Sequence, residues 1–227
     1  KIAKATAKEV RATGISWVFS PNLDGFNDVR WGRVYETFSN NPILNAKLGA
    51  AYVRGIQGTS TNMLATAKHY IGAGGMEWGS SSNKNYKIDQ GRTPADEKAL
   101  RESYLPPFKA AVDAGVLSVM SGLNSYGDEK MSENTYLLTD VLKGELGFRG
   151  FVVSDWYAVY EVPGGDYAAA VKAVSAGVDM VMLPYDYKPF ISNMKKAVRK
   201  NEISEARIDD AVRRILRAKF SVGLFEK

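Results

Sequence analysis

The chemistry open to this chain is narrowed first by what it lacks. The sequence holds no Cys and a single His, His69. Thiolate nucleophiles, thiolate zinc sites and disulfide frameworks are therefore excluded, as are metal sites built from several His ligands. A Ser–His–Asp relay would have to use His69, and no G-x-S-x-G elbow supplies its Ser. No G-x-x-x-x-G-K-[ST] phosphate loop is present. Gly72-Ala73-Gly74-Gly75 lacks the final Gly and the following helix of a dinucleotide fingerprint. What remains is carboxylate chemistry, with no cofactor and no metal expected.

Asp155 is the leading carboxylate. It follows the apolar run FVVS and precedes Trp156. At the mouth end of a buried strand, it could attack an electrophilic carbon while the aromatic packs on the apolar face of a sugar. The same position suits a helix cap or an Arg partner. Lys68-His69 ends another apolar run. Two adjacent donors there could grip hydroxyls or a carboxylate, although a lone His is often simply a satisfied core residue. Arg33 lies in RWGR with Glu36 three residues on. An Arg held by a Glu can clamp a polar ligand, or the two can form a surface ion pair.

The elements that must position these groups alternate along the chain. Short apolar runs at 15–20, 64–70, 116–121, 150–154 and 179–183 read as strands. Several are apolar on both faces, as parallel strands covered by helices should be. Helical patterns lie between them. One covers 1–13, with Ile2 and Val10 on one side, and stops at Gly14. Another starts at Thr93-Pro94-Ala95-Asp96 as N-cap, Pro and acid, and runs to Pro106-Pro107, with a shorter one following to Gly115. Ser132 is placed to cap 133–146, 166–176 stops at Gly177, and Ser204 is placed to cap 205–220. This alternation predicts an α/β fold with right-handed crossovers. The long polar connections 21–40 and 71–92 each follow a strand, where sites in such folds are built.

Composition agrees with a globular domain. Apolar residues make up 45% and charged residues 24%. A chain of 24.9 kDa buries roughly 70% of its unfolded surface. The net charge of +5 comes largely from KKAVRK (195–200) and RRILRAK (213–219). At helical spacing these are solvated faces, and no nucleic-acid module accompanies them. No apolar run of about 18 residues is present to span a membrane. At 227 residues the chain is slightly tight for a (β/α) barrel of about 250. It also opens on a helix where a barrel normally opens on a strand. The expectation is a single TIM-like (β/α)-barrel domain over 1–227, or a fragment of one cut inside the fold.

The motifs taken together resemble glycoside hydrolase family 3. KATAKEVRATGISWVFSPNLD with RWGRVYE, AKHYIGAGG, DQGRT, TYLLTDVLKGELGFRGFVVSDW, AGVDMVMLPYDYKPF and RIDDAVRRILRAKFSVGLFE carry the resemblance in order over nearly the whole chain. It is nearest to the β-glucosidase and exo-β-glucanase type. The resemblance implies a retaining glycosidase on a TIM-like barrel, acting on a β-linked glucoside or oligosaccharide, secreted or periplasmic. By motif, Asp155 would be the nucleophile. Arg33, Lys68 and His69 would bind hydroxyls in the −1 subsite, Trp156 would line the mouth, Met120 would lie at the site wall, and Glu36 would brace Arg33. The sequence departs from the family at Arg92, where Asp is common, at Leu123, where an aromatic is common, and at Asn40-Asn41, where Glu-Asp is frequent. With no second His, the hexosaminidase branch and its Asp-x-His dyad are disfavoured. Relatives also begin with a strand that carries a sugar-binding Asp, and place the acid/base carboxylate in a second α/β domain. The expectation is that a second chain or domain completes the barrel and supplies the acid/base, with Glu77 and Asp89 as weak substitutes. Two rival readings are a non-catalytic sugar-binding barrel piece and a lyase or aldolase using Lys68.

Overall fold

The computed structural model describes residues 1–58 and 62–226. Its strands are β1 (Thr66–Tyr70), β2 (Arg92–Thr93), β3 (Ser118–Ser121), β4 (Ser125–Tyr126), β5 (Glu129–Lys130) and β6 (Phe151–Ser154). β1, β3 and β6 form one parallel sheet in that order. Its register pairs Thr66 with Ser118 and Ser118 with Phe151. Two further extended segments flank it. Trp17 bridges Leu64 and Asn22 bridges Lys68 on one side, and Met180 bridges Val153 on the other, all parallel. Five staves therefore stand side by side in chain order, as consecutive staves of a (β/α) barrel do. β2, β4 and β5 form a small separate sheet above them.

The three central strands fall where the apolar runs predict, shortened by one or two residues at their starts. The outer two staves are held by isolated bridges rather than full ladders, against the expectation of strands at 15–20 and 179–183. At the first, Ser20 O and Pro21 O accept from Thr66 N and Lys68 N, so adjacent residues face donors two apart and the register slips. At the last, the Asp179 side chain intervenes, its Oδ2 accepting from Val152 N at 2.8 Å. Asp179 Oδ1 also accepts from Lys143 Nζ at 2.8 Å and from Arg207 Nη2 at 2.6 Å.

The helices correct the sequence reading in several places. α1 (Ile2–Ala12) buries Ala3 and Ala7, while Ile2 is 80% exposed. The buried stripe is built of small residues because α1 lies close on α2 (Pro42–Ile56), where a Cβ at Gly55 would sit 2.5 Å from Ala3 Cβ. α2 itself was not foreseen. Asn41 caps it, its side chain accepting from Ile43 N and Leu44 N, with Pro42 following. Helix α3 (Glu97–Ala99) starts from Asp96 as N-cap, not Thr93. It continues through a π-helical segment, Leu100–Tyr104, into α4 (Leu105–Asp113), so the two prolines sit in a helix's first turn rather than ending one. The π-helical segment Tyr136–Glu145 begins after Asn134, which accepts from Leu137 N, while Ser132 is buried beside Ser121. α5 (Gly165–Ala176) stops at Gly177 as expected. α6 (Tyr187–Arg199), also unforeseen, carries the first basic cluster. α7 (Glu205–Ser221) is capped by Ser204 as expected.

Alternation along the strands divides the core into two. Ala67, Val119 and Val152 face outward and pack with Phe108, Leu137 and Leu142 under the helices. Burying each such side chain contributes about 1.5–3 kcal/mol. Leu64, Met120, Phe151 and Val153 face inward, where Ala218 of α7 and Val222 just after it join them. This apolar inner layer fills the lower part of the staves and leaves their C-terminal ends to polar groups.

Candidate active site

The polar groups gather where β1 and β6 end. His69 is 3% exposed. Its Nδ1 lies 2.7 Å from Asp24 Oδ2, and its backbone N donates to Asp24 Oδ1 at 3.3 Å. Its Nε2 lies 3.3 Å from Arg33 Nη2 and 3.7 Å from Asp155 Oδ2. A guanidinium can only donate. The Nε2 facing it therefore accepts, and Nδ1 carries the hydrogen given to Asp24. Asp24 in turn is fixed by Asn22, whose Oδ1 accepts from Asp24 N at 2.8 Å.

Arg33 forks onto Glu36, with Nε at 2.7 Å from Oε1 and Nη2 at 2.9 Å from Oε2. Asn22 Nδ2 reaches the same Glu36 Oε2 at 3.4 Å. The pair is partly buried at the site, not a surface ion pair. Hydrogen bonding from Arg33 holds the Glu36 carboxyl down at about 2. Burial works against the charge of Arg33, but Glu36, Asp24 and Asp89 outweigh it and hold its pKa above the usual value. Lys68 is shifted the other way: burial and then the nearby Arg33 lower it, opposed by Glu36, Asp155 and Asp24. No side-chain hydrogen bond is made by its ammonium among the described residues. A half-buried cation with open donors thus stands within the field of three carboxylates.

Asp155 is buried, and its Oδ1 accepts from Trp156 N at 2.6 Å. Neither a helix cap nor an Arg partner occupies it among the described residues. Trp156 is 54% exposed beside it. Met120 is 2% exposed and sits in the inner apolar cluster, in register with Val153, two residues before Asp155. The structure thus brings Arg33, Lys68, His69 and Asp155 together, with Trp156 at the rim and Met120 among the apolar groups. Glu77 does not join them: it pairs with Arg92 at 3.2 Å on the exposed second loop. Asp89 acts on Arg33 only through its charge. Of the departures, Arg92 is that partner of Glu77, Asn41 is the α2 cap, and the Leu123 carbonyl accepts from Lys130. Sequence reasoning missed Asp24 and Asn22. The signal lay in the polar pair of SPNLD directly after an apolar run.

Among the described residues no cluster of His, Asp and Glu could hold a metal ion. No helix is long and apolar enough to cross a membrane. The arrangement offers a carboxylate, an imidazole of fixed tautomer and two cations at one mouth, a set able to hold a polyhydroxylated ring against a carboxylate.

Parallel staves alternating with helices, polar groups at their C-terminal ends and an apolar layer beneath define a TIM-like (β/α)-barrel domain. Residues 1–218 match the model of the glycosyl hydrolase family 3 N terminal domain, and the chain belongs to that family. It is 38% identical over its whole length to a beta-xylosidase of Formosa agariphila, covering 33% of that protein. It is 32% identical to the periplasmic beta-glucosidase of Salmonella typhimurium, over 99% of this chain and 29% of that one. Among solved structures, the Q683A mutant of an exo-1,3/1,4-beta-glucanase from a Pseudoalteromonas species superposes with a TM-score of 0.92 and 45% identity, covering 100% of this chain and 36% of that one. A D270A mutant of a beta-glucosidase from Listeria innocua, in complex with laminaribiose, gives 0.90 and 34%, covering 99% and 31%. The chain thus spans about a third of the length of these relatives.

Proposed function

We propose that this chain forms the sugar-holding, nucleophile-bearing barrel domain of a retaining glycoside hydrolase that acts on β-glucosides or β-glucans. The carrying observation is the juxtaposition at the stave ends: Asp155 Oδ2 lies 3.7 Å from His69 Nε2, beside a Lys68 ammonium with open donors. In the proposed reaction an Asp155 oxygen bonds the anomeric carbon as the glycosidic C–O bond breaks. The departing oxygen takes the electron pair and a proton from a general acid. Water then attacks the anomeric carbon of the glycosyl ester, giving one proton to the conjugate base of that same acid as the ester C–O bond breaks, and releases sugar and the Asp155 carboxylate. Arg33, Lys68 and His69 hold ring hydroxyls, so that the geometry is set before bonds change. Trp156 offers an apolar face at the mouth and Met120 a wall below.

The partner carboxylate of a retaining site lies about 5–5.5 Å from the nucleophile. We assign the acid/base to a second domain or chain, because Glu77 is engaged with Arg92 and Asp89 reaches the site only through its charge on Arg33. Names of relatives support both substrate and place: one is a periplasmic beta-glucosidase, and another is solved with laminaribiose. On that support we assign this chain an exported location and a β-linked glucoside substrate.

The test is incubation with an activated 2-deoxy-2-fluoroglucoside, whose leaving group needs little protonation, followed by peptide mass spectrometry. A glycosyl adduct on Asp155, absent in Asp155→Asn, is expected. An adduct on another residue overturns the assignment.

A further inference from the structure

The loops after β1, β3 and β6 converge on one partly buried ammonium away from the site, beside the β2–β4 pairing and the Asn124 bonds that also join the first two. Lys130, in β5, is 15% exposed along its side chain. Its Nζ donates to Glu161 Oε2 at 2.8 Å, to the Leu123 carbonyl at 3.1 Å and to the Gln90 carbonyl at 3.4 Å. An ammonium has three donors, and all three are used. Each acceptor belongs to a different connection. Gln90 is on the loop after β1, the strand that carries Lys68 and His69. Leu123 is on the turn after β3. Glu161 closes the short segment after β6, six residues beyond Asp155.

Two of these segments contain backbone that needs holding. Gln90 has φ of 65° and Tyr157 a φ of 53°, a left-handed conformation that L side chains avoid. The strained Gln90 is the residue whose carbonyl Lys130 grips. Its neighbour Asp89 is the loop's electrostatic link to Arg33. Strain of this kind persists where the surroundings over-determine it.

We propose that Lys130 is a positioning residue of the sugar site, a single cationic hub that fixes the loops after β1, β3 and β6 relative to one another. It touches no sugar. It acts through Gln90 and Glu161, keeping the Arg33–His69 side of the mouth in register with Asp155 and Trp156. The proposal rests on the glycosidase reading only for the ligand that the hub serves.

The test compares Lys130→Met and Lys130→Arg with the parent chain. Glucose affinity by calorimetry, fluoroglucoside labelling rate and amide hydrogen exchange are measured on each, beside far-UV circular dichroism. Lys130→Met is expected to weaken glucose binding about tenfold, close to 1.4 kcal/mol, and to slow labelling at least as much. Its dichroism should be unchanged. Exchange should rise at 88–91 and 158–161 and stay level in α7. Lys130→Arg should restore affinity to within about threefold of the parent, which a merely space-filling role would not predict. A folded Lys130→Met with parental affinity and parental exchange overturns the proposal. Should that variant fail to fold, Glu161→Ala removes one arm, and raised exchange at 158–161 with weakened glucose binding is expected. If the parent itself neither binds nor labels, the glycosidase reading fails, and the exchange comparison alone decides the hub.

Discussion

Removing the Asp24 carboxylate tests the site where it is most deeply built. Its side chain is fully buried and accepts from both His69 Nδ1 and His69 N. Asp24→Ala leaves two buried donors without partners, at about 1–3 kcal/mol each, so a loss of about 4 kcal/mol is expected. For a domain of this size that lowers Tm by about 8–16 °C. Asp24→Asn keeps one acceptor oxygen and should lose about half as much. The more telling effect is on the imidazole. The Asn amide can donate to Nδ1, moving the hydrogen to Nε2 and pointing it at the Arg33 donor. With one His in the sequence, a long-range proton–nitrogen NMR spectrum contains a single imidazole system and reads the tautomer directly. The parent should show hydrogen on Nδ1 and Asp24→Asn a shift toward Nε2, with weaker glucose binding. A parent spectrum with hydrogen on Nε2, or an Asp24→Ala variant within about 0.5 kcal/mol of the parent, would refute the reasoning.

Burial pulls the Lys143 ammonium down to about 8 from 10.5 despite Asp179. Between those values the unfolded chain holds more protons, so stability should rise with pH there, and Lys143→Met should flatten that rise in urea titrations. Glu36 is held at about 2 by Arg33, below its usual 4.5. Its stabilisation should be complete above 4.5 and lost as pH falls toward 2, and Glu36→Gln should remove that part of the acid sensitivity, read from thermal melts across the window. Gly74→Ala would place a Cβ 2.2 Å from the Gly25 carbonyl oxygen, prising the two long loops apart. It should cost about 1–3 kcal/mol in chemical denaturation.

The central staves were legible because β1, β3 and β6 are buried on both faces but for Lys68, which leaves short runs dominated by apolar and small residues. The outer staves were over-read, since an apolar run does not show that the register slips at Ser20-Pro21 or that Asp179 takes a strand's N–H. Helix α2 was hidden by its own packing. A Cβ at Gly49 or Gly55 would come within 2.5 Å of Leu23 or Ala3, so glycine, a poor helix former, is what lets the helix approach. Asp155, Lys68, His69 and Arg33 were legible because they end apolar runs or sit in a dense polar motif. Asp24 was not, because its bond to His69 spans 45 residues and exists only once the first loop folds over β1.

The buried carboxylate of Asp179 has a bearing on how this domain can drift. Lys143 and Arg207 both lean on it. Losing the carboxylate alone strands two cations, and losing either cation alters the charge balance of a group with no water around it. Replacing a whole buried ion cluster by apolar side chains is often neutral, whereas breaking it one member at a time is strongly destabilising. Positions 143, 179 and 207 therefore form a mutational lock. Single-step paths through it run downhill in fitness, so the last helix should stay fastened to the last stave while the surrounding surface changes freely.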